Sequence, residues 1–335
     1  MRYWLSLHPD ISRPIGGVKQ MHRLAEAIQA TGREATLIQE AAEFHPGWFQ
    51  SSVKTISLSN WKSLRDQSLD PSTDVLIIPE TFLSILDHYS GGLPVVVFNQ
   101  NGSYSFGLPG AKTFLKPSAV IRRYGHFDIV HVLCVSQYDY ELLSKSFLLG
   151  EDNVSLVCNG IEPACFPLGT KRKQIAYMPR KNTFDALAVV GLLRSQPWCS
   201  DWDFVEISAC SHAEVIEILR KSLVFLSFGH PEGFGLPVAE AMACGCAVIG
   251  YSGLGGRELF ALGKHLGVVY EVPVGDWPCF LRSVQQIDDL LHQDVNAFTV
   301  SLMSLSRIIR QAYSASEMIA SVRLAFERIE SAISR

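Results

Sequence analysis

Residues 224–251 read VFLSFGHPEGFGLPVAEAMACGCAVIGY and carry the most informative pattern in the chain. An apolar run is followed by a glycine-rich turn, a helical stretch at 238–243 and a second apolar run at 247–251. Short apolar runs that alternate with helical stretches are typical of parallel strands joined by crossover helices. The segment therefore predicts an α/β fold in which the glycine-rich turn follows a buried strand.

The same alternation extends along the whole chain. The clearest helical stretch, 18–30, places Val18, Met21, Leu24 and Ile28 on one face. Strand candidates lie at 3–7, 35–38, 75–78, 95–99, 129–135, 154–158, 174–178, 204–208, 224–228, 247–251 and 267–270. A chain of 335 residues with this pattern is expected to form two α/β domains.

A composition shift marks the boundary between these domains. Residues 160–174, GIEPACFPLGTKRKQ, interrupt the apolar periodicity with prolines, glycines and a basic cluster. We place the boundary at Leu168, which gives domains of residues 1–168 and 169–313. The remaining stretch, 314–335, opens with Ser314 and Glu317 in capping-box spacing and predicts an amphipathic terminal helix.

Composition also excludes several classes of protein. The net charge of −4 provides no basic field for nucleic acid, and no apolar run approaches the roughly 20 residues of a membrane-spanning helix. The first residues, MRYWLSLHPD, lack the long apolar region of a secretory signal. Eight cysteines without a CxxC pair indicate reduced thiols, no metal site and a cytoplasmic location.

The turn PEGFGLP collects groups that suit a nucleotide sugar. Gly233 and Gly235 let a ligand approach the backbone, and the amides that open the following helix favour an anion. Glu232 and Glu240 are expected to face one cleft and to accept hydrogen bonds from vicinal hydroxyls. The alternative is that Glu232 is only a carboxylate favoured at a helix start and that Glu240 is a solvated helix residue.

With Gly233, Gly235, Pro237, Ala241 and Gly245 in place, this segment resembles the donor-binding segment of retaining GT-B fold glycosyltransferases, specifically glycosyltransferase family 4, the group 1 glycosyl transferases. Other segments are similar to the same family in the same order, namely Gly16 and Gly17 in RPIGGVKQM, Ser136 in VLCVSQYDYELL, NGIEPACF at 159–166, and Glu258 in SGLGGREL. The resemblance spans most of the chain.

The resemblance implies a GT-B fold, in which two Rossmann-like αβα domains face a central cleft and the terminal helix packs back on the first. It implies transfer of a sugar from a nucleoside diphosphate sugar to a hydroxyl of a glycan, a lipid-linked acceptor or a small molecule, with retention of anomeric configuration. Enzymes of this kind need no metal and no cofactor beyond the donor substrate.

The resemblance also assigns residues. Glu232, Arg180 and Lys181 are the expected catalytic residues. The expected donor-binding residues are Gly16, Gly17, Arg180, Lys181, Glu232, Gly233, Phe234, Gly235, Leu236 and Glu240. Glu232 is assigned to the sugar hydroxyls and Glu240 to the ribose hydroxyls. Relatives separate the two basic residues, whereas Arg180 and Lys181 are adjacent here, so either can contact the diphosphate, or both can form a solvated basic turn.

A second departure concerns the acceptor side. Many relatives carry a histidine near the sugar, and in the corresponding stretch, VVVFNQNGSYSFG, it would have to be replaced by Asn99, Gln100 and Asn101. Asn99, Asn101 and His8 are therefore the acceptor-side candidates. His131 lies in an apolar strand and is expected to be a core histidine.

Other functions fit less well. A catalytically degenerate relative that binds nucleotide sugars, or serves as an assembly subunit, remains an alternative, and an epimerase or phosphorylase on the same fold is a weaker one. The stretch IGYSGLGGRE has Glu258 at the third glycine of a dinucleotide fingerprint, which argues against an oxidoreductase. Asp201 and Asp203 resemble a metal-binding DxD but lie in a polar turn.

One basic segment raises a question of partners. Residues 112–127, KTFLKPSAVIRRYGHF, carry Lys112, Lys116, Arg122 and Arg123 among apolar residues and no acidic residue. Such a segment is either an ordinary solvated loop or a surface for peripheral contact with the inner face of an anionic membrane.

Overall fold

The structure is a computed structural model that describes residues 1–7, 10–107, 115–162, 164–166 and 170–334. The chain forms two compact units, of which the first combines Met1–Gly160 with Ala315–Arg335 and the second is Ile161–Ser314. Leu168, at which the sequence placed the domain boundary, lies outside the described residues.

The first unit is built on a parallel sheet of seven strands. The strands are β1 (Arg2–Ser6), β2 (Glu34–Gln39), β3 (Thr55–Ser57), β4 (Asp74–Pro79), β5 (Val95–Asn99), β6 (Ile129–Cys134) and β7 (Val154–Leu156), in the order β3-β2-β1-β4-β5-β6-β7. The helices between them are α1 (Gly16–Ala30), α2 (Leu58–Gln67), α3 (Leu86–Tyr89), α4 (Pro117–Tyr124) and α5 (Gln137–Glu141). The central strands β4 and β5 are buried along almost their entire length, which explains their continuous apolar sequence.

The second unit repeats this architecture with five parallel strands. These are β8 (Arg172–Tyr177), β9 (Asp203–Glu206), β10 (Ser222–Ser227), β11 (Ala247–Gly250) and β12 (Val269–Glu271), in the order β12-β11-β10-β8-β9. The helices are α6 (Thr183–Arg194), α7 (His212–Lys221), α8 (Leu236–Ala243), α9 (Arg257–Gly263), α10 (Trp277–Gln293) and α11 (Val295–Ala312). The predicted α/β architecture of parallel sheets is therefore confirmed in both units.

The terminal helix α12 (Ala315–Ile333) belongs to the first unit, where it contacts α1 and β6. Phe326 packs edge-on against Tyr3 of β1, with 4.7 Å between ring centroids. Glu330 accepts two hydrogen bonds from Arg33, both 2.7 Å long, and one of 2.8 Å from the Tyr3 hydroxyl. The last helix is thus held to β1 by the contacts of Tyr3 and to the start of β2 by the ion pair of Arg33 with Glu330.

Three further features bear on the sequence predictions. Within the described ranges no helix is long and apolar enough to cross a membrane. All eight cysteines are free thiols. Strand β3 was not predicted, because its three residues, Thr55–Ser57, include one apolar side chain and are too few to show a pattern.

Candidate active site

The site lies at the carboxyl edge of the sheet in the second unit. Strands β8, β10 and β11 are neighbours there, so the loops that follow them, at 178–182, 228–235 and 251–256, converge at one edge. Together these loops line a cavity. The predicted residues that reach it are Arg180, Lys181, Glu232 and Gly235.

Lys181 and Glu232 form an ion pair in this cavity. The ammonium of Lys181 lies 2.8 Å from Oε2 of Glu232 and donates a second bond of 2.6 Å to the carbonyl of Pro231. Their side chains are 17% and 21% exposed, so the two charges interact under little solvent screening while remaining open to the cavity. The ammonium of Lys181 can bind an anionic ligand. The carboxylate of Glu232 beside it can accept hydrogen bonds from hydroxyl groups.

The neighbouring residues hold the two loops together. Asn182 donates from Nδ2 to the carbonyl of Phe228 at 2.6 Å and to that of His230 at 3.1 Å. In addition to the ion pair with Glu232, the loop after β8 thus donates three hydrogen bonds to backbone carbonyls of the turn after β10, one from Lys181 and two from Asn182. The position of the ion pair is therefore fixed by backbone contacts on both sides.

Arg180 differs from its neighbour Lys181. It lines the same cavity but is exposed, and among the described residues nothing forms a hydrogen bond or ion pair with its guanidinium. A free guanidinium presents a planar fork of donors that matches two oxygens of a phosphate. The two adjacent basic residues thus have different environments, one engaged with the protein and one available.

Glycines set the shape of the turn that carries Glu232. Its N–H donates to the carbonyl of Gly253 at 2.7 Å, and its carbonyl accepts from Gly255 at 3.0 Å. A Cβ on Gly255 would lie 1.9 Å from the carbonyl oxygen of Gly233, and one on Gly253 would lie 2.5 Å from the Cβ of Glu232. The two loops approach so closely that only glycine fits at these positions. This close approach explains the glycines of the stretch SGLGG, which the sequence alone did not.

The start of α8 provides the backbone amides that the sequence predicts for binding an anion. Gly235 is the N-cap residue and adopts the left-handed conformation, with φ at +91°, and Pro237 stands in the first turn. Phe234 is buried and packs against the Tyr313 ring, with 4.9 Å between centroids. Its side chain therefore belongs to the core of the second unit.

Glu240 lies on α8 but is not among the residues that line the cavity. It is 5% exposed, and its Oε1 lies 2.9 Å from Nε2 of His212, the first residue of α7. The alternative of a solvated helix residue is therefore wrong. Sequence reasoning did not single out His212. The only local signal is the capping box of Ser211 and Glu214, which fixes where α7 begins.

Two further titratable groups border the loops. Partial burial, together with the charges of Lys181 and Arg257, lowers the pKa of His230, against an opposing effect of Glu232. Burial raises the pKa of Tyr251 to about 12, and its hydroxyl donates to Asp185 at 2.6 Å. Both groups are therefore neutral at physiological pH, and Tyr251 braces the loop after β11 against α6.

The predicted glycine loop lies in the first unit, where Gly16 and Gly17 open α1. Gln100, which follows β5, donates from Nε2 to the carbonyl of Gly17 at 3.2 Å, and its own N–H donates to Glu80 at 3.0 Å. A Cβ on Gly17 would lie 3.3 Å from Oε1 of Gln100. The start of α1 is thus tied to the carboxyl end of β5.

The acceptor-side candidates have structural partners. Asn99 is 0% exposed and donates to the Tyr124 hydroxyl at 2.5 Å, while Asn101 caps the short helical turn Gly102–Phe106 by accepting from the N–H and hydroxyl of Ser103. Neither amide is placed on an accessible surface of the unit. His8 lies outside the described residues.

His131 is a core histidine, as expected. It is 2% exposed and its Nε2 lies 2.9 Å from the Ser155 hydroxyl. Burial, with a smaller effect of Arg328, lowers its pKa to about 4. The ring is therefore neutral and serves packing rather than chemistry.

No metal centre is found in the part of the chain that the structure describes, since no group of three or more His, Cys, Asp or Glu residues there is arranged to hold an ion. Asp201, in the sequence resembling DxD, forms an ion pair of 2.6 Å with Lys173. The close pair Cys244 and Cys246 is buried. Asp201 is thus engaged in an ion pair, and the two cysteines belong to the core of the second unit.

Two sequence comparisons match parts of this chain to known proteins. Residues 206–292, which include the turn of Glu232 and the helix of Glu240, match the family model described as glycosyl transferases group 1. Over 101 residues the chain is 34% identical to an alpha-1,6-glucosyltransferase of Actinobacillus pleuropneumoniae serotype 7. That match spans 28% of this chain and 28% of the relative's length.

Solved structures resemble the chain over nearly its whole length. HepE of Anabaena in complex with UDP has a TM-score of 0.69 at 12% identity, covering 98% of this chain and 100% of that one. Sucrose-phosphate synthase from Thermosynechococcus elongatus has a TM-score of 0.72 at 13% identity, covering 99% and 100%. At such identities the likeness establishes the fold, and the chain has the GT-B fold of two Rossmann-like domains.

Proposed function

We propose that the protein is a glycosyltransferase that moves a sugar from a nucleoside diphosphate sugar to a hydroxyl of a glycan, a lipid-linked acceptor or a small molecule, with retention of configuration and without a metal. The observation that carries the proposal is the Lys181–Glu232 pair in a cavity at the carboxyl edge of the second sheet. It lies partly within the stretch that matches group 1 glycosyl transferases. Support also comes from a relative that is a glucosyltransferase and a fold neighbour that binds UDP.

In this proposal the basic residues bind the phosphates and the acidic residues bind the hydroxyl groups. Arg180 and Lys181 bind the diphosphate, together with the amides at the start of α8. Glu232 accepts hydrogen bonds from the sugar hydroxyls, and Glu240 accepts them from the ribose. Preorganised cations and amides matter most where negative charge develops, which is on the leaving diphosphate.

The reaction needs no protein nucleophile. The bond between the anomeric carbon and the phosphate oxygen breaks, and its electron pair stays on the phosphate. The acceptor oxygen forms the new bond on the same face of the sugar, and its proton passes to a phosphate oxygen. The protein's contribution is to hold both reactants in place and to stabilise the departing charge.

Release of the nucleoside diphosphate from candidate donors, with and without added acceptors, tests this proposal. We expect one UDP-, GDP- or ADP-sugar to be hydrolysed slowly without acceptor, at an unchanged rate in EDTA. With an acceptor present, NMR of the transfer product should show the retained anomer. Binding of a nucleotide sugar with no turnover of any donor would instead favour a degenerate protein that binds nucleotide sugars or serves as an assembly subunit.

The proposal extends to peripheral contact with the cytoplasmic face of a membrane. Lys116 and Arg122 on and beside α4 are exposed, and Phe127 is 87% exposed, a combination of cations and an aromatic ring that suits anionic lipid. Lys112 lies outside the described residues. Sedimentation with phosphatidylglycerol vesicles should fall on replacing Lys116, Arg122 and Phe127 together, and an unchanged bound fraction would mark this segment as a solvated loop.

A further inference from the structure

A histidine that neither the sequence pattern nor the cavity identifies contacts the buried carboxylate of the second unit. We propose that His212 is a positioning residue for Glu240 and that the pair makes the donor site select ribonucleotides over their 2′-deoxy counterparts. The inference rests on the proposed function, in which Glu240 binds the ribose hydroxyls.

The contact itself has the geometry of a strong hydrogen bond. Nε2 of His212 lies 2.9 Å from Oε1 of Glu240, and the side chains are 13% and 7% exposed. An ionised carboxylate can only accept, so the imidazole Nε2 carries the proton in this bond. A glutamate side chain has several rotatable bonds, and a bond to a fixed donor removes that freedom before a ligand arrives.

The backbone around His212 is fixed independently of Glu240. The hydroxyl of Ser211 accepts from the N–H of Glu214 at 3.3 Å, and the Glu214 carboxylate accepts from the N–H of Ser211 at 2.7 Å. This capping box determines the first turn of α7, in which His212 stands. Helix α7 packs on α8, so donor and acceptor are held on two packed helices.

This arrangement favours a ligand that brings hydroxyl donors. With one oxygen of Glu240 bonded to His212, the direction of the whole carboxylate is set, and a ribose hydroxyl has a defined acceptor. A 2′-deoxyribose lacks one donor and leaves a nearly buried carboxylate without it. Sites built to bind a hydroxyl discriminate strongly against analogues that lack it, because a buried charge then loses a partner.

The test compares dissociation constants for UDP, GDP, ADP and CDP with those of their 2′-deoxy forms. For the nucleotide that binds most tightly, the unaltered protein should prefer the ribose form by about tenfold or more. His212→Ala should weaken binding of the ribose form about tenfold and of the deoxy form less than about twofold. His212→Gln keeps a hydrogen-bond donor, so its affinity for the ribose form should lie between those of the unaltered protein and His212→Ala. Replacement of the exposed His265 by alanine is the matched control and should change neither.

If His212→Ala weakens binding of the ribose and deoxy forms equally, the role of His212 is merely structural. If it weakens binding of neither form, the contact with Glu240 does not contribute to nucleotide binding. Either result overturns the inference. If the alanine variant does not fold, His212→Asn, whose shorter amide does not reach Glu240, takes its place. Failure of the proposed function looks different. The unaltered protein would then either bind no nucleoside diphosphate at all, or bind one and turn over no donor, and a lack of turnover leaves the ribose and deoxy affinities measurable.

Discussion

The carboxyl edges of the two sheets use polar residues in opposite ways. In the second unit Lys181 and Glu232 lie half-buried on a cavity, each about one-fifth exposed. In the first unit Asn99 and Glu80 are 0% and 5% exposed, and their bonds go to other parts of the protein. At the edge of the second sheet the charged side chains are therefore open to a cavity. At the edge of the first sheet the polar side chains are buried and form hydrogen bonds within the protein.

Under the proposed function, this difference assigns the donor to the edge of the second sheet. Polar residues at a strand end are a ligand site only where the fold leaves them within reach of solvent, and burial with internal partners turns them into framework. The predictions below test that distinction, beginning with the change of largest expected effect.

Gly255→Ala should be the most damaging single change at the second edge. Its Cβ would lie 1.9 Å from the carbonyl oxygen of Gly233, so the turn carrying Glu232 has to move. We expect the free energy of unfolding, from urea titration, to fall by about 3 kcal/mol. Gly191→Ala on α6 is the control, because nothing lies within 4 Å of that position, and it should be neutral or stabilising. Equal effects of the two would contradict the close approach of the loops.

Lys181→Met should lower kcat for sugar transfer by about 10²–10³, because it removes a donor to the departing diphosphate and leaves Glu232 without its partner. Steady-state kinetics with the identified donor measure this. The matched control is Lys221→Met, which breaks an exposed pair of 2.9 Å with Glu217 and should change kcat less than about twofold. Similar losses in both variants would remove Lys181 from the mechanism.

Glu80→Gln should alter the pH dependence of stability and leave catalysis nearly unchanged. Burial raises the pKa of Glu80 from 4.5 to about 7, against a smaller opposing effect of the N–H of Gln100, so the folded protein holds this proton more tightly than the unfolded chain. Its contribution to stability is therefore full below about pH 4.5 and is lost as the pH rises to about 7. Above pH 7 the variant should be more stable than the unaltered protein, by on the order of 2–3 kcal/mol.

Other groups titrate in the same range, so the difference between variants is the quantity to measure. Burial lowers the pKa of His22 and of His131 to about 4, and these residues cost stability as the pH falls below 6.5. Because they are present in both proteins, they cancel in the comparison of Glu80→Gln with the unaltered chain. Glu327→Gln at an exposed position of α12 is the control. A difference between Glu80→Gln and the unaltered protein that does not vary with pH would contradict the account.

Tyr124→Phe should have the smallest effect. It removes the hydroxyl that bonds to Asn99 at 2.5 Å and to Ser105 at 2.9 Å, so the first unit should lose about 1 kcal/mol while nucleotide affinity stays the same. Tyr270→Phe removes an exposed hydrogen bond of 2.9 Å and serves as the control. A clear loss of nucleotide affinity in Tyr124→Phe would mean that the first edge takes part in donor binding.

Much of the fold could be predicted from the sequence, because parallel strands buried on both faces are continuous apolar runs. The strand Val95–Asn99 has the bounds that its apolar residues predict. The strand Thr55–Ser57 was missed because it pairs only with β2 and needs no apolar run. Local pattern suffices where burial dictates residue type and fails where pairing alone defines the strand.

The site was predictable only in part. Glu232 and Lys181 stand in motifs whose glycine and charge pattern is local. The contact of His212 with Glu240 joins two successive helices at positions 28 residues apart, and no local pattern indicates it. The inward direction of Asn99 likewise depends on Tyr124 of α4, which lies elsewhere in the chain. Exposure and long-range partners, rather than residue type, separate binding groups from framework.

Thermal unfolding with UDP, GDP, ADP, dTDP and CMP, on the unaltered protein and on Lys181→Met and Lys221→Met, tests most directly whether the edge of Lys181 and Glu232 binds the donor. One nucleotide should stabilise the unaltered protein by about 2.7 kcal/mol at a hundred times its Kd. That stabilisation should persist in Lys221→Met and disappear in Lys181→Met. No stabilisation by any nucleotide, or equal stabilisation in all three proteins, would contradict the account.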